Sequence, residues 1–332
     1  MACLQDGPYT DDLERAGVRV VRLRARRLRY VWMWGLTVAR LARLALDHDV
    51  LLSWQVKGNY YGTPAARIAR KPVAWWDHGI RPARGERRYL IDNKLPSVTN
   101  ADLVVTSSEA SAVRHRRARV ILPGIPLEPF VNAARENARA LLSLSPVDQA
   151  VGIVGRLQPW KGQHVFLRAA ARVHERFPRA RFLVIGGTPG GFSAGYPAEL
   201  SSLVRELGIA DRVDFLGHRD DIPALLAGLD VFVLASFGEP FGLVTVEAMA
   251  SGVPVVATDA GGTREILTDP SLGALVPPGD EAAMADAIIR YLAEPEYAAG
   301  VAVAARADVV KRFDIARYVR EIEDLVIEMA SA

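Results

Sequence analysis

Two carboxylates and two cations carry the chemistry open to this sequence. Glu239 stands on a turn bounded by Gly238 and Pro240, and Glu247 follows eight positions later. Upstream, the run Gly155-Arg156-Leu157-Gln158-Pro159-Trp160-Lys161-Gly162 sets an arginine and a lysine in a glycine-bounded turn. Glycine lets a backbone approach a ligand, arginine offers a fork of donors and lysine a mobile point charge. Two such cations at a strand end suit a diphosphate and would neutralise charge building on a departing phosphate. A carboxylate does not favour a diphosphate, so Glu239 and Glu247 are expected to face neutral hydroxyls, such as the vicinal pair of a ribose. Backbone amides from Gly242 through Leu243 to Val244, at an expected helix start, would point at phosphate or sugar. The composite is a nucleoside diphosphate with a sugar at one end. Glycoside hydrolysis also uses two carboxylates, about 5–9.5 Å apart, but a neutral glycoside would not require the cations.

These residues need a frame in which strand ends and helix starts converge. After Ala150 apolar runs alternate with helical patterns, giving expected strands at 151–154, 182–185, 213–216, 231–235, 253–257 and 274–276. Helices are clearest at 165–176 and 198–207, and Asp280 caps another that ends near Leu292. Such alternation predicts a doubly wound parallel sheet, with ligands at the carboxyl ends of its strands. The first part of the chain alternates less cleanly. Strands are expected at 18–23, 50–54, 72–77, 103–106 and 120–122, a helix around 108–115, and one from about Thr63 with Pro64 in its first turn. A Pro-rich stretch and a short helix at 132–142 lead to a break at Ser145-Pro146. The expected division is thus 1–145, 146–314 and a last amphipathic helix, 315–332, packing back on the first domain.

Composition narrows the classes. The chain of 332 residues has a formal net charge of +3, and its one cysteine, Cys3, excludes an internal disulfide. No Cys/His cluster has metal-ligand spacing, so no metal or other cofactor is required. The apolar run at 30–39 is half the length needed to span a bilayer, and the polar, acidic start does not read as a signal peptide; a cytoplasmic setting is expected. Nine arginines fall between Arg15 and Arg43. Solvated faces account for such a stretch; peripheral docking to an anionic membrane, on the inner face of the cell membrane, is the functional alternative, with Trp32 and Trp34 beside it. No aromatic-platform motif supports nucleic acid as a partner.

The motifs GRLQPWKG (155–162), EPFGLVTVE (239–247) and GGTREI (261–266) resemble those of retaining glycosyltransferases of family 4, and the resemblance spans essentially the whole second domain. It implies a GT-B type α/β fold, two Rossmann-like parallel-sheet domains facing across a cleft, and transfer of a sugar from a nucleotide-diphosphate sugar to a hydroxyl acceptor such as a glycan, a lipid-linked acceptor or a small molecule. By this resemblance Gly155, Arg156 and Lys161 bind the donor diphosphate, Glu239 contacts the transferred sugar and Glu247 the ribose. Phe241, Gly242, Leu243 and Val244 border the donor, and the turn Gly217-His218-Arg219 lines the nucleobase through its backbone. His78, in WWDHG (75–79), resembles the histidine near the family's reacting centre. The implied route is same-face attack as the diphosphate leaves, its oxygen helping to take the acceptor proton, with no dedicated nucleophile.

The chain also departs from that pattern. Family members begin with a strand and a Gly-rich loop ahead of the segment resembling DGPYTDDLERAGVRVV, whereas Met1 already lies past them. The Asn-Gly-Val-Asp turn is replaced by LPGIPLEP after Val120. The first domain is therefore expected to be incomplete, as part of a longer reading frame or completed by a partner, and to expose an apolar sheet edge. A catalytically weak donor-binding subunit is the alternative to the enzyme. A sugar-nucleotide epimerase or a phosphorylase fits the Glu239/Glu247 spacing less well.

Overall fold

The computed structural model describes residues 1–5, 7–23, 25, 31–79, 100–113, 115, 117–188 and 195–332. The chain forms two compact units, residues 1–121 with 321–332, and residues 122–320.

In the second unit six parallel strands are described: β7 (Gln149–Val154), β8 (Ala180–Ile185), β9 (Val213–Gly217), β10 (Val231–Leu234), β11 (Val255–Thr258) and β12 (Ala274–Val276), in the order β12-β11-β10-β7-β8-β9. The four central strands, β11, β10, β7 and β8, are largely apolar and buried on both faces, as a sheet covered by helices on each side demands, whereas the edge strands β9 and β12 expose Phe215 and Leu275. One face packs the helices Gln163–Arg176, Tyr196–Glu206 and Glu281–Ala293 around Phe166, Phe182 and Ile288. The other packs Ile222–Ala227, Leu243–Ala250 and Pro295–Arg312 around Phe232, Met249 and Phe313. Strand order reverses between β7 and β10. That switch point is where loops from neighbouring strands turn to opposite faces and leave a crevice.

Residues 122–145 group with this unit, although the Pro-rich break at 145–146 suggested a later division. The reason is packing. Helices Glu128–Val131 and Arg135–Leu141, found in place of one helix at 132–142, lie against Ile222–Ala227, and Arg135 and Arg139 both bind Asp230.

The first unit holds a parallel four-stranded sheet, β3 (Leu51–Trp54), β4 (Val73–Asp77), β5 (Leu103–Thr106) and β6 (Ala118–Val120), in chain order. A separate parallel pair joins β1 (Ala2–Cys3) to β2 (Val21–Arg22). Among the described residues β3 is an edge strand, and its Leu52 and Trp54 are 37% and 41% exposed. Helix Val31–Ala45 packs Val38 and Ala42 on Tyr61 and Ala65 of helix Gln55–Ala69. That second helix begins a full two turns before the expected start near Thr63, leaving Pro64 in its interior. The apolar burial of Tyr61, Ala65 and Ala66 outweighs the hydrogen bond a proline removes. From Glu321 the last helix, Ile315–Ser331, belongs to this first unit: Leu325 is fully buried and Glu328 pairs with Arg119.

Candidate functional site

At the switch point, Gly155–Gly162 leaves the carboxyl end of β7 and the Glu239 turn leaves that of β10. Two glycines bring these loops together. Gly162 has φ +72°, and a Cβ there would lie 2.0 Å from the Ala235 carbonyl oxygen; Gly261, at φ +65°, would put one 2.0 Å from the carbonyl oxygen of Glu239. Only glycine permits either approach. The Phe237 N–H donates to the Trp160 carbonyl (2.8 Å) and the Gly262 N–H to that of Glu239 (2.8 Å), tying the three motifs into one assembly.

Within it Lys161 Nζ donates to Glu239 Oε2 at 2.6 Å, and Ser236 Oγ to the same oxygen at 3.1 Å. Both charged side chains are nearly buried, at 14% and 11% exposure. The ammonium also sits 4.4 Å from the Trp160 ring centroid. The structure thus pairs one of the expected phosphate-binding cations with one of the expected hydroxyl-facing carboxylates. Arg156 is exposed, and its guanidinium has no ion pair among the described residues. Its carbonyl accepts from Gln163 Nε2 at 2.9 Å, which fixes the loop. Gln163 was not singled out from the sequence; a neutral residue just beyond a motif carries no chemical signal until its partner is known.

Gly242, at φ +101°, turns the chain into helix Leu243–Ala250. The amides at this start, including those of Leu243 and Val244, are ones a helix leaves without internal partners. Glu247 is half-buried in the next turn, and its carboxylate has no hydrogen-bond partner among the described residues. Burial pushes it above the usual carboxylate range. A desolvated acceptor lacking a donor is suited to ligand hydroxyls. Phe241 is different: it is buried against Phe313, ring centroids 5.6 Å apart, so its side chain is a core group and only its backbone is left to border a ligand.

Gly217 has φ +66°, and its carbonyl accepts from the Gly186 N–H at 2.8 Å. His218 is exposed beside Asp220. Arg219 donates Nε to Asp221 Oδ1 at 2.8 Å ahead of helix Ile222–Ala227, so its side chain is committed to that carboxylate.

His78 belongs to the first unit, just past β4. Its ring lies 5.8 Å from that of Trp54, which stacks on Trp76 at 4.8 Å. Burial holds His78 below the usual histidine range, against the opposing pull of Asp77. Asp77 Oδ1 accepts from the Gly79 N–H at 3.0 Å, and Oδ2 lies 2.9 Å from His115 Nε2. His115 is a further polar neighbour of this strand end that its sequence position, 38 residues from Asp77, gave no way to foresee.

A cavity of about 530 Å³ opens instead at the amino ends of β7 and β10, lined by Arg135, Arg139, Asp148 and Asp230 among others. Arg135 and Arg139 are engaged by Asp230 and by the carbonyls of Leu229, Ser145 and Asp148. It is a structural clamp for residues 122–148. Among the described residues no group of three or more His, Cys, Asp or Glu side chains has a metal-binding arrangement, and no helix is long and apolar enough to cross a membrane.

Residues 148–294 match the family model described as glycosyl transferases group 1. The chain is 37% identical over 252 residues to a D-inositol 3-phosphate glycosyltransferase of Corynebacterium urealyticum, covering 73% of this chain and 59% of that protein. It therefore spans less than two thirds of the length of that relative. Anabaena HepE in complex with UDP and glucose superposes with a TM-score of 0.87 at 28% identity, covering 98% of this chain and 90% of that one. Sucrose-phosphate synthase from Thermosynechococcus elongatus gives 0.81 at 26% identity, covering 95% and 84%. With the switch-point loops, the strand order and these likenesses in agreement, residues 148–294 form a group 1 glycosyltransferase domain, and the chain has an α/β fold of the GT-B type, built from Rossmann-like units with parallel sheets.

Proposed function

We propose that this protein is a retaining glycosyltransferase moving a sugar from a nucleoside-diphosphate sugar to a hydroxyl acceptor. The observation that carries this reading is the placement, on the loops and helix at the β7/β10 switch point, of Arg156 and Glu247, neither with a side-chain partner among the described residues, beside the Lys161–Glu239 pair. In the proposal Arg156, Lys161 and the amides of residues 242–244 take the diphosphate, and Glu247 the ribose. Arrival of phosphate draws Lys161 toward the new anion and frees a Glu239 oxygen for sugar hydroxyls. Charge on the leaving group is neutralised by these groups, and the reading asks for no resident metal. The leaving oxygen accepts the acceptor's proton on the face it departs from, so no protein nucleophile is assigned. His78 is proposed to serve the acceptor side.

HepE was solved with UDP and glucose, which makes UDP-sugars the first donors to try. The relatives' name makes an inositol phosphate the first acceptor, with lipid-linked and glycan acceptors beside it. Incubation with a panel of nucleotide sugars and these acceptors, following released nucleoside diphosphate, tests the proposal. Release is expected and should be abolished in Glu239→Ala and Lys161→Ala. Tight donor binding with no release under any acceptor would refute the enzyme and leave a donor-binding subunit.

Peripheral membrane contact is proposed on the exposed face of helix Val31–Ala45. Trp32 and Leu36, 67% and 56% exposed, share it with Arg40 and Arg43. Arg22 does not serve this role, being paired with Asp11 and Glu14; Arg24, Arg26 and Arg27 lie outside the described residues.

A further inference from the structure

Lys161 is held by more than its pair with Glu239. A lysine ammonium on a flexible four-carbon stem loses rotamer freedom when it is ordered, yet this one is held in place. One of its three N–H donors goes to Glu239 Oε2 at 2.6 Å. The rest of its positioning comes from Trp160, whose ring centroid lies 4.4 Å from Nζ. That ring is itself anchored. Its Nε1–H donates to Gln158 Oε1 at 2.9 Å, and the Trp160 carbonyl accepts from the Phe237 N–H at 2.8 Å. The short helix Pro159–Lys161 then carries indole and ammonium on successive residues.

An aromatic face attracts a cation through its quadrupole. It does so without using the cation's N–H groups, and without the negative charge that a second carboxylate would set against an incoming anion. Two donors of Lys161 therefore have no partner among the described residues and can meet oxygens of a ligand.

We propose that Trp160 is a positioning residue for the donor diphosphate: its anchored indole face holds the Lys161 ammonium in place, both when paired with Glu239 and as phosphate arrives. This rests on the reading that Lys161 binds the diphosphate. Pre-positioning removes an ordering cost from the binding step. Losing it should weaken nucleoside diphosphate affinity by about 3- to 30-fold, the span of a partly desolvated cation–π contact.

The test is calorimetric titration of the purified full chain with UDP, and with GDP and ADP alongside, for wild type, Trp160→Phe, Trp160→Leu, Lys161→Ala and Trp160→Leu/Lys161→Ala. Trp160→Phe, which keeps a ring face, should stay within about threefold of wild type, and Trp160→Leu should show the full loss. Because the indole acts through the ammonium, Trp160→Leu should add nothing on the Lys161→Ala background. A purely structural role for Trp160 predicts the same weakening on both backgrounds and would overturn the proposal, as would wild-type affinity in Trp160→Leu. Failure of the underlying reading looks different: Lys161→Ala then binds as wild type does, or wild type binds no nucleoside diphosphate at all. Should Trp160→Leu not fold, NMR of wild-type protein labelled with 13C-lysine decides. Ring current should move the Lys161 ε-methylene protons upfield, with the signal assigned by its loss in Lys161→Ala. An unshifted signal overturns the proposal.

Discussion

Replacing Glu247 with glutamine should make the unliganded protein more stable and the donor complex weaker. Glu247 is half-buried, without a hydrogen-bond partner among the described residues, and its carboxyl is pushed up by desolvation. A folded-state value above the unfolded one means the fold favours the protonated acid. That favourable contribution is fully present below the unfolded carboxylate range and is lost as pH rises through the folded value. At pH 8 the native state therefore carries a poorly solvated charge, which glutamine removes. An unsatisfied buried polar group costs about 1–3 kcal/mol and a charged one more; glutamine keeps the first cost and removes only the excess, roughly 1 kcal/mol at a half-buried position, or about 2–4 °C in Tm for a unit of this size. The assay is thermal unfolding of wild type and Glu247→Gln at pH 8 and pH 5, with and without UDP. Without nucleotide the variant should melt higher at pH 8, and the gap should narrow toward pH 5. With nucleotide the order should reverse, because a charged acceptor of two hydroxyls is worth about 1.5–3 kcal/mol per hydrogen bond. A variant less stable than wild type at pH 8 without nucleotide would show that the carboxylate is satisfied within the protein, and the ribose assignment would lose its physical basis.

Three further outcomes are expected. Gly261→Ala forces a Cβ to within 2.0 Å of the Glu239 carbonyl at a φ of +65°; it should lose roughly 2 kcal/mol or more of stability, and a Tm within 1 °C of wild type, a limit on the order of measurement error, would contradict the close approach. In a double-mutant cycle, Glu239→Ala should destabilise more than Lys161→Ala/Glu239→Ala, since the single change strands a nearly buried ammonium; additivity in chemical denaturation would show that the two charges do not interact. Arg40→Glu/Arg43→Glu should weaken sedimentation with phosphatidylglycerol vesicles at least about tenfold, and Trp32→Ser should weaken it further; unaltered binding would remove this helix as a membrane contact.

Much of the second unit was legible because its signals are local. Alternating apolar runs and helical periods register strand by strand, and capping chemistry sits beside what it caps: Asp280 accepts from the Ala282 and Ala283 N–H groups at 3.1 and 2.9 Å. The first unit was less legible for the same reason. Helix Gln55–Ala69 starts early because burial against a distant helix overrides the local proline, and residues 122–145 join the second unit through Arg135 and Arg139, whose partner Asp230 lies far along the chain.

By itself the sequence determined the inventory: an arginine and a lysine between glycines, two glutamates eight apart, and the alternation that makes a parallel sheet. Alternation does not specify strand order, since every order gives each strand two covered faces. The tertiary structure decided that β10 lies beside β7. That adjacency closes a gap of 78 residues to set Lys161 on Glu239, and it leaves Glu247 desolvated with no partner among the described residues. Ion pairing and desolvation depend on distance and burial in space, so neither can be read from residue type and spacing alone.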